Sequence, residues 1–583
     1  MSTFHSRSSL FGVLTQPHSR AVVEEIAPEV LESALAQHEA SFPIGPVLSI
    51  ILDPGDERVQ VLLERLYALE DRTERVAEES PIAPRLDYDV ADSPLGGAGV
   101  VLPENASANR RTELTFIGPS HGNPFVDVEL TVRFALDNAV IDVGGFYDGD
   151  GRYVARFLPP QPGVWTFKTT STARSLDSIP GSIEVTASDD PGPVHAEGIH
   201  FAHADGTPFI PLGTTAYAWT HQSSELQDAT IRALSEASFT KLRMALFPKH
   251  FIFNTNEPQS FVFPREGEGW DTTRFDLEYF RQLEKRLAQL GELGIQADLI
   301  LFHPYDRWGF AKLGRAADDR YVRYVARRLA AFPNVWWSLA NEYDLLLEND
   351  VADWDRIAGV IRDNDHVGHP LSIHNWMELW DYGSEWATHC SIQHGDQLGA
   401  RVREWRGRWR KPVVVDECGY EGDIDQGWGF LSATEEVRRI WDAVMAGGYA
   451  THGETYHRGD DVLFWAKGGE LHGESPARIA FLQSLIEDAP TGRLEPLPSD
   501  FDAAHAGVEG RYRLIYFGGG QPAFRSVNVP VGMRAHIDVI DTWNMTITTL
   551  PGEHVGVVRV DLPGHPYIAI RLRSADDADA ASV

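Results

Sequence analysis

The stretch NVWWSLANEYD, residues 334–344, joins an apolar run to an amide and a carboxylic acid. A short apolar run is typical of a buried strand, and a turn residue such as glycine or proline normally follows it. Here Asn341 and Glu342 follow instead. A second carboxyl group, Glu417, ends the apolar segment PVVVDE farther along the chain. Two such groups that meet in one cleft can work together as an acid and a base or nucleophile.

Strand-like apolar segments alternate with helical patterns between residues 200 and 490. Eight such segments are predicted to be strands: FIPLGTTAYAW, FTKLRMALFP, IQADLILFHPYD, NVWWSLANEYD, HPLSIHN, CSIQHGD, PVVVDECGYE and YATHGETYH. Amphipathic stretches such as DLEYFRQLEKRLAQLGELG separate most of them. Eight strands in about 290 residues predict a (β/α)8 barrel. No glycine-rich phosphate loop follows any of them, which disfavours a dinucleotide-binding sheet.

The residues that end these strands are the candidates for a site, because the C-terminal ends of barrel strands meet at one mouth. The predicted substrate-binding residues are Arg243, His303, Tyr305, Asn341, His374, Trp376, His394, Glu454 and Trp465. A barrel with only a structural role need not carry acids, imidazoles and tryptophans at most of its strand ends. Trp376 and Trp465 are the favoured stacking platforms, since the CH-rich faces of sugars stack on aromatic rings.

Glu342 and Glu417 are the predicted catalytic pair, three strands apart across the mouth. Hydrolysis of a glycosidic bond needs one carboxyl group to protonate the leaving oxygen, while another attacks the anomeric carbon or activates water. Period-two alternation places Glu417 and Asp416 on opposite faces of their strand. Glu421, in the following loop, is the main alternative to Glu417, and Glu454 is a third acid at the mouth.

The Asn-Glu pair at the end of strand four, with a glutamate at the end of strand seven, resembles the clan A glycoside hydrolases, the cellulase-like (β/α)8 retaining enzymes. The segment GGFYDGDGRYVARFLPPQPGVWTFKTT is similar to a β-sandwich domain of unknown function that often precedes such barrels, and the last segment is similar to the small β-domain that follows them. The resemblance implies Glu342 as acid/base, Glu417 as nucleophile and Asn341 as the partner of the sugar 2-hydroxyl. It also implies that Arg243 keeps the nucleophile ionised and that His394 lies beside it.

Changes between helical and strand-like residue patterns divide the chain into four predicted parts. Residues 1–92 carry two helical patterns and a linker, and residues 93–195 carry short alternating strands typical of a β-sandwich. Residues 196–492 form the barrel, and residues 493–583 form a second β-sandwich with a tail, SADDADAASV, predicted to be disordered. The predicted fold class is multidomain α/β: a (β/α)8 TIM barrel flanked by β-sandwich domains, with an N-terminal helical module.

The 51 basic and 85 acidic residues give a formal charge of −34, which argues against nucleic-acid and anionic-membrane partners. The stretch MSTFHSRSSLFGVLTQPHSR lacks the apolar core expected of a secretory signal, and we find no apolar run of about 18 residues that could cross a bilayer. The two cysteines, Cys390 and Cys418, make no disulfide framework. We therefore predict a cytoplasmic enzyme, with no cofactor or metal, that acts on oligosaccharides or small glycosides.

Exo-action is expected, because long loops after strands two and eight would close the mouth. The helical module is expected to pack on a neighbouring domain or to mediate homo-oligomer formation.

Two other classes of function remain open at this point. A metal-dependent hydrolase in the same barrel would use strand-end histidines, of which His303, His374, His394, His452 and His457 are candidates. That class usually has a His-x-His pair on an early strand, and this chain has none there. A non-catalytic carbohydrate-binding protein would keep the aromatic residues without needing both glutamates.

Overall fold

The computed structural model describes residues 2–33, 42–53, 55–72, 79–498 and 502–576. Its central part contains eight parallel strands, one in each of the eight predicted segments. We number them β1 (Gly213–Thr215), β2 (Lys241–Ala245), β3 (Gln296–Phe302), β4 (Val335–Ala340), β5 (Leu371–Ser372), β6 (Cys390–Gln393), β7 (Val413–Glu417) and β8 (Tyr449–Ala450).

These strands form two parallel sheets, with β1 to β5 in the first and β6 to β8 in the second. An isolated parallel bridge joins Thr214 to His452, and another joins His374 to Ser391. The two bridges lie between the sheets at both of their edges. Every residue of β3 and β4 is buried, as expected for parallel strands that are covered on both faces.

Seven helices accompany the strands: α1 (Ser224–Glu236), α2 (Leu277–Glu292), α3 (Arg315–Leu329), α4 (Val351–Asn364), α5 (Leu398–Trp409), α6 (Ala433–Met445) and α7 (Ser475–Glu487). The side chains of Ser223, Asp276 and Ser432 accept hydrogen bonds from the first backbone N–H groups of α1, α2 and α6, which fixes where these helices begin. Among the described helices, none is long and apolar enough to cross a membrane.

Short helices and strand pairs lie in the loops of this central part. They are the 3-10 helices Trp219–His221, Phe310–Lys312 and Tyr343–Leu345, the helix Phe464–Lys467, and the strand pairs Arg265–Glu266 with Gly269–Trp270 and Glu421–Gly422 with Glu454–Thr455. A three-stranded sheet, made of Val194–Glu197, His200–His203 and Pro208–Phe209, precedes β1.

Residues 99–186 form two sheets that share one core. The five-stranded sheet has the order Ala106–Ser107, Pro180–Thr186, Gly163–Ser171, Leu130–Leu136, Ala139–Gly144; the four-stranded sheet has the order Gly99–Val101, Thr112–Ile117, Arg152–Phe157, Phe146–Tyr147. Two short helical turns, Pro124–Asp127 and Arg174–Leu176, lie in their loops. Phe134 of one sheet stacks on Phe157 of the other with ring centroids 4.1 Å apart, so aromatic contacts join the two layers.

Residues 495–498 and 502–574 also contain mainly strands. A six-stranded sheet has the order Glu495–Pro496, Ala504–Val508, Tyr512–Tyr516, Ile568–Ser574, Ala535–Asp541, Thr546–Thr549, and Phe524–Asn528 pairs with Val557–Asp561. Tyr516 stacks on Trp441 of α6 at 4.6 Å, which joins this sheet to the central part. Most of the tail predicted to be disordered, residues 577–583, lies outside the described residues.

The N-terminal helices are shorter than the sequence pattern predicts. They are Leu10–Thr15, Pro17–Ile26, Ile44–Ile51 and Glu57–Tyr67, with the 3-10 turn Pro28–Glu32 and the paired strands Ser2–Thr3 and Glu70–Asp71. The pattern over residues 19–42 is interrupted at Pro28, because proline has no N–H to continue a helix. Residues 34–41 and 73–78, which belong to the two predicted helical patterns, lie outside the described residues.

This helical module packs against the central part, which is one of the two expectations for it. Its buried core includes Leu345, from the loop after β4, and contacts Trp376, from the loop after β5. Phe42 of the module lies 5.9 Å from the Trp376 ring, and Arg7 donates to the Asn349 carbonyl at 3.2 Å. The module therefore covers the loops that follow β4 and β5.

A buried ion network joins the two-sheet region to the central helices. Arg156 donates to Glu284 of α2 at 2.6 and 3.0 Å, and Arg328 of α3 bonds both Glu284 and, at 2.8 Å, Asp148. The side chains of Arg156, Arg328 and Glu284 are at most 11% exposed. Glu284 thus balances two buried guanidinium groups from two parts of the chain.

Replacing Glu284 by glutamine should lower the free energy of unfolding by about 1.5–3 kcal/mol, because Arg156 and Arg328 lose their shared carboxylate and keep only Glu113 and Asp148 as ionic partners. Urea unfolding followed by fluorescence would measure the change. The control, Glu292→Gln at an exposed position of the same helix, should change stability by less than about 0.5 kcal/mol. An equal effect of the two substitutions would contradict the assigned role of Glu284.

Candidate active site

Glu342 lies immediately after β4 and is 4% exposed. Its backbone has φ 53°, in the left-handed region that side chains other than glycine seldom adopt. Its Oε2 accepts hydrogen bonds from the Tyr305 hydroxyl and, at 3.1 Å, from Asn341 Nδ2. The strained backbone and these two donors fix the direction of the carboxyl group.

Glu417 ends β7, and its side chain is 13% exposed. Its Oε1 accepts from the Tyr217 hydroxyl and from Arg243 at 3.3 Å. Arg243 is fully buried on β2 and also donates to Asn341 Oδ1 at 3.2 Å. Asn341 and Arg243 therefore connect the surroundings of the two glutamates.

The Gln393 amide, at the end of β6, lies between the two carboxyl groups. With its nitrogen turned toward them, it donates to Glu342 Oε1 at 3.1 Å and to Glu417 Oε2 at 3.2 Å. Because one nitrogen reaches both oxygens, these oxygens are no more than about 6.3 Å apart. A register shift between β6 and β7 occurs at this point, next to Gln393 and Glu417.

The two carboxyl groups have different electrostatic surroundings. Burial, together with the negative charge of Glu417, raises the pKa of Glu342 to about 8. Glu417 instead bonds to the Arg243 guanidinium, and Arg243 has its own pKa raised by Tyr217, Asp416 and the neighbouring acids against the opposing effect of burial. Near neutral pH the arrangement thus holds one protonated carboxyl group opposite one that is paired with a cation.

A lysine lies beside this pair. Lys249, in the loop after β2, is 5% exposed, and its Nζ lies 3.8 Å from the ring centroid of Tyr217, 4.4 Å from Tyr305 and 4.6 Å from Trp465. Burial lowers its pKa to about 8, while Glu342 and Glu417 oppose that shift. In the described ranges this ammonium group has aromatic neighbours and no acceptor within hydrogen-bonding distance.

Several predicted residues surround the pair without bonding to it. His374 is fully buried, has no hydrogen-bond partner among the described residues, and places Nε2 4.0 Å from Glu417 Oε1. Burial holds its pKa well below the usual value, so the ring is neutral. His303 bonds the Phe247 carbonyl at 3.1 Å, and burial lowers its pKa to about 3.

The two favoured tryptophans have different positions. Trp465 lies at the site, 5.8 Å from the Tyr217 ring, and the Tyr217 N–H donates to its carbonyl at 2.9 Å. Trp376 instead contacts Phe42 and the core of the helical module. The hydrophobic contact explains this position of Trp376 without a sugar.

His394 is also turned away from the pair. Its ring meets Trp405 of α5 edge-on at 5.4 Å, and its backbone N–H, not its side chain, donates to the Glu417 carbonyl at 2.9 Å. The resemblance implies that His394 lies beside Glu417, but in the structure the side chain of the neighbouring Gln393 lies there instead. The register shift next to Gln393 explains why strand alternation alone could not distinguish the two.

The other acids near the ends of β7 and β8 have their own partners. Asp416 bonds Lys241 at 2.6 Å in the interior. Glu421, the alternative to Glu417, is fully buried and accepts from Tyr456 at 2.9 Å and from the backbone N–H groups of Glu474 and Ser475. Glu454 accepts from the His472 and Gly473 N–H groups at 2.6 and 2.7 Å, and burial raises its pKa to about 7.

Three residues of this site, Tyr217, Lys249 and Gln393, were not among the predicted site residues. Gln393 had a sequence signal, since it ends a predicted strand. Tyr217 lies in the segment of strand one, two residues after β1 ends. Lys249 lies in a long loop, where no periodicity indicates which side chain turns inward.

Known protein families and solved structures match most of this chain. Residues 195–483 match the family model described as "Apiosidase-like, catalytic domain", and residues 107–172 and 501–573 match two domains of unknown function, DUF5060 and DUF5605. A crystal structure from Bacteroides vulgatus ATCC 8482, assigned as a glycoside hydrolase, is 37% identical with a TM-score of 0.78 and aligns over 81% of this chain and all of its own. A glycoside hydrolase family 5 structure from the same organism is 17% identical, has a TM-score of 0.53, covers 66% of this chain and 94% of its own, and supports the fold alone.

The fold and these matches define an enzyme of carbohydrate hydrolysis. The chain belongs to the glycoside hydrolases and is an O-glycosidase.

The raised pKa of Glu342 predicts how stability and activity depend on pH. Because the folded-state pKa of about 8 exceeds the ordinary 4.5, the wild type should lose stability relative to Glu342→Gln as the pH rises from 4.5 to 8. The wild-type kcat/KM should fall above about pH 8 as the proton is lost. Thermal melts of both proteins across this range would show the divergence, and parallel melting curves would contradict the assignment.

Replacing Lys249 by methionine should move the alkaline limb of kcat/KM to higher pH. The ammonium group lowers the pKa of Glu342, so its removal favours the protonated carboxyl group. A pH–rate profile of the variant measures the shift. Lys312→Met, at an exposed position, is the control and should leave the limb in place; a shift of the Lys249→Met limb to lower pH would contradict this role.

Proposed function

We propose that this O-glycosidase is a retaining enzyme in which Glu342 is the acid/base and Glu417 the nucleophile. The observation that carries the proposal is the pair itself: two carboxyl groups bridged by Gln393, one with a pKa raised to about 8 and the other bonded to Arg243 and Tyr217.

The separation of the carboxyl groups supports retention of configuration. Retaining enzymes hold their two carboxyl groups about 5–5.5 Å apart, whereas inverting enzymes hold them about 6.5–9.5 Å apart to admit a water molecule. The distance between Glu342 Oε1 and Glu417 Oε2 is at most about 6.3 Å, which is shorter than the separations found in inverting enzymes.

The proposed reaction has two steps. In the first, Glu417 attacks the anomeric carbon, the bond from that carbon to the leaving oxygen breaks, and Glu342 gives its proton to that oxygen. In the second, the Glu342 carboxylate takes a proton from water, the water oxygen bonds to the anomeric carbon, and Glu417 leaves. The loss of the proton from Glu342 in the first step makes it the base in the second.

Residues around the pair have proposed supporting roles. Arg243 and Tyr217 keep Glu417 ionised through their hydrogen bonds to Oε1. Asn341 is proposed to bond the sugar 2-hydroxyl next to the reacting carbon. Trp465 is proposed to contact the sugar, because its indole N–H has no hydrogen-bond partner among the described residues. Lys249 is proposed to do the same, because its ammonium group lies 4.6 Å from the Trp465 ring.

We further propose that β1 to β8 form a closed (β/α)8 barrel of the clan A type, flanked by two β-sandwich domains. The bridges Thr214–His452 and His374–Ser391 support closure. The shared core of the two sheets in residues 99–186 supports the first sandwich domain. The proposed domain limits are residues 93–195, 196–492 and 493–583, after a helical module and linker.

The proposed substrates are oligosaccharides or small glycosides that are cleaved from one end in the cytoplasm. The position of the helical module on the loops after β4 and β5 supports exo-action, because it narrows the approach to one side of the site. The description of the matching family makes an apiosyl glycoside the first compound to test, followed by aryl glycosides of arabinofuranose, galactofuranose, xylose, galactose and glucose.

Glutamine substitutions test the two roles separately. Glu417→Gln should lower kcat at least about 10³-fold on every active aryl glycoside, because it removes the nucleophile. Glu342→Gln should lower kcat about 10²–10⁴-fold on substrates with poor leaving groups and less on nitrophenyl glycosides, which need little protonation. Exposed Glu385→Gln is the control and should match the wild type. Normal hydrolysis by both active-site variants would refute the assignment.

The products of an oligosaccharide digestion test exo-action. With the substrate series that proves active, the first product should be the terminal sugar and should carry the anomeric configuration of the substrate in early NMR spectra. A set of long internal fragments at early times would contradict exo-action, and the opposite anomer would contradict retention.

A further inference from the structure

A buried polar cluster lies behind the ends of β7 and β8, on the side of helices α6 and α7. It consists of Glu421, which follows β7, Glu436 of α6 and His452, which follows β8. One ligand atom from each residue lies within 4.8 Å of the other two. All three residues have essentially no exposed surface. Glu454, a further buried acid, lies on the strand paired with that of Glu421.

The imidazole of His452 has an unsatisfied nitrogen that faces this cluster. Its Nδ1 lies 2.9 Å from Thr214 Oγ1, whereas Nε2 has no hydrogen-bond partner among the described residues and lies 3.9 Å from Glu436 Oε2. In the tautomer that donates Nδ1–H to Thr214, Nε2 presents a lone pair toward a carboxylate oxygen. Two acceptors that face each other in a buried place repel, unless a proton or a cation joins them.

The surrounding donors do not satisfy the two carboxyl groups of the cluster when both are ionised. Glu421 accepts from the Tyr456 hydroxyl, the Glu474 and Ser475 N–H groups and the Ser475 hydroxyl. Glu436 accepts from the Gly453 N–H at 2.9 Å and contacts the same Ser475 hydroxyl at 2.9 Å. A hydroxyl has one proton to give, so it cannot donate to both acids.

No basic side chain balances the charge of this cluster. Within the described ranges, neither Glu421, Glu436 nor Glu454 forms an ion pair with a lysine or arginine. Buried carboxylates are normally paired or coordinate a metal. The separation of the ligand atoms also suits one ion, because 4.8 Å is about twice a metal–ligand bond of roughly 2.0–2.6 Å.

We propose that Glu421, Glu436 and His452 bind a divalent metal ion of the Zn²⁺ or Mn²⁺ class. One imidazole nitrogen and two carboxylate oxygens favour such borderline ions over Ca²⁺ and Mg²⁺, which prefer oxygen alone. Thr214, bonded to Nδ1, would orient the imidazole as second-sphere partners of metal-bound histidines do. The ion takes no part in the reaction. It ties the segment after Glu417 to α6 and to the end of β8, and so holds the strand end that carries Glu417.

Metal analysis and melting curves of the full-length protein test the site. After dialysis, mass spectrometry of the purified wild type should find about one equivalent of Zn²⁺ or Mn²⁺. Chelator treatment should lower Tm by several degrees, and added Zn²⁺ or Mn²⁺ should restore it, whereas Ca²⁺ should not. Metal-free wild type whose Tm does not respond to Zn²⁺ or Mn²⁺ would overturn the proposal.

The variant Glu436→Gln shows whether a bound metal ion or a proton on Glu436 satisfies the polar groups of the cluster. Glutamine mimics a protonated glutamate, so it should keep or raise Tm if a proton on Glu436 satisfies the cluster. If a metal does, Glu436→Gln and His452→Ala should both lose the ion and melt below the metal-loaded wild type. Exposed Glu487→Gln, on α7, is the matched control and should keep the ion. Equal metal content in all four proteins would show that the ion binds elsewhere, which also overturns the proposal.

Discussion

The repulsion between the carboxyl groups of Glu342 and Glu417 is the physical constraint on which the rest of the site depends. Glu342 and Glu417 bond the same Gln393 nitrogen, and Glu342 has almost no contact with solvent. Two charges in this position would be costly, so one carboxyl group keeps its proton near neutral pH. Arg243 distinguishes the two carboxyl groups, because it donates to Glu417 and not to Glu342. The proposed division of roles between acid and nucleophile follows from this asymmetry.

Charged residues on the strands below the site fix the position of Arg243, which bonds only one of the two glutamates. Lys241 of β2 bonds Asp298 of β3 at 2.7 Å and Asp416 of β7 at 2.6 Å. Asp298 also lies 3.7 Å from Arg243. The ion network in the interior therefore fixes the guanidinium group that pairs with Glu417. Such a network on rigid strands keeps catalytic groups closer to their working geometry than a loop could.

The sequence was sufficient to predict the parallel strands and the position of both glutamates at strand ends. Where other side chains lie differently from the prediction, there are physical reasons. Apolar runs with polar ends identify β4 and β7 because burial and the mouth select those residue types. Gln393 lies beside Glu417 where His394 is predicted, because the register between β6 and β7 shifts at this point. The alternation of residue types along a strand does not reveal such a shift. Trp376 packs on the helical module because Phe42 lies against it, and such a contact between distant segments has no periodic signal. Lys249 lies in a loop whose path depends on tertiary contacts with Tyr217 and Tyr305.

Glu417 is proposed to form a covalent bond to the sugar during turnover. The direct measurement is mass spectrometry of the enzyme after incubation with a 2-deoxy-2-fluoro glycoside of whichever sugar the enzyme cleaves. The fluorine slows both steps, whereas an activated leaving group speeds only the first, so the glycosyl-enzyme accumulates. We expect one added glycosyl mass, located by peptide digestion on the carboxyl group of Glu417. A label on Glu421 or Glu454, or turnover to an inverted product with no labelled enzyme, would contradict it.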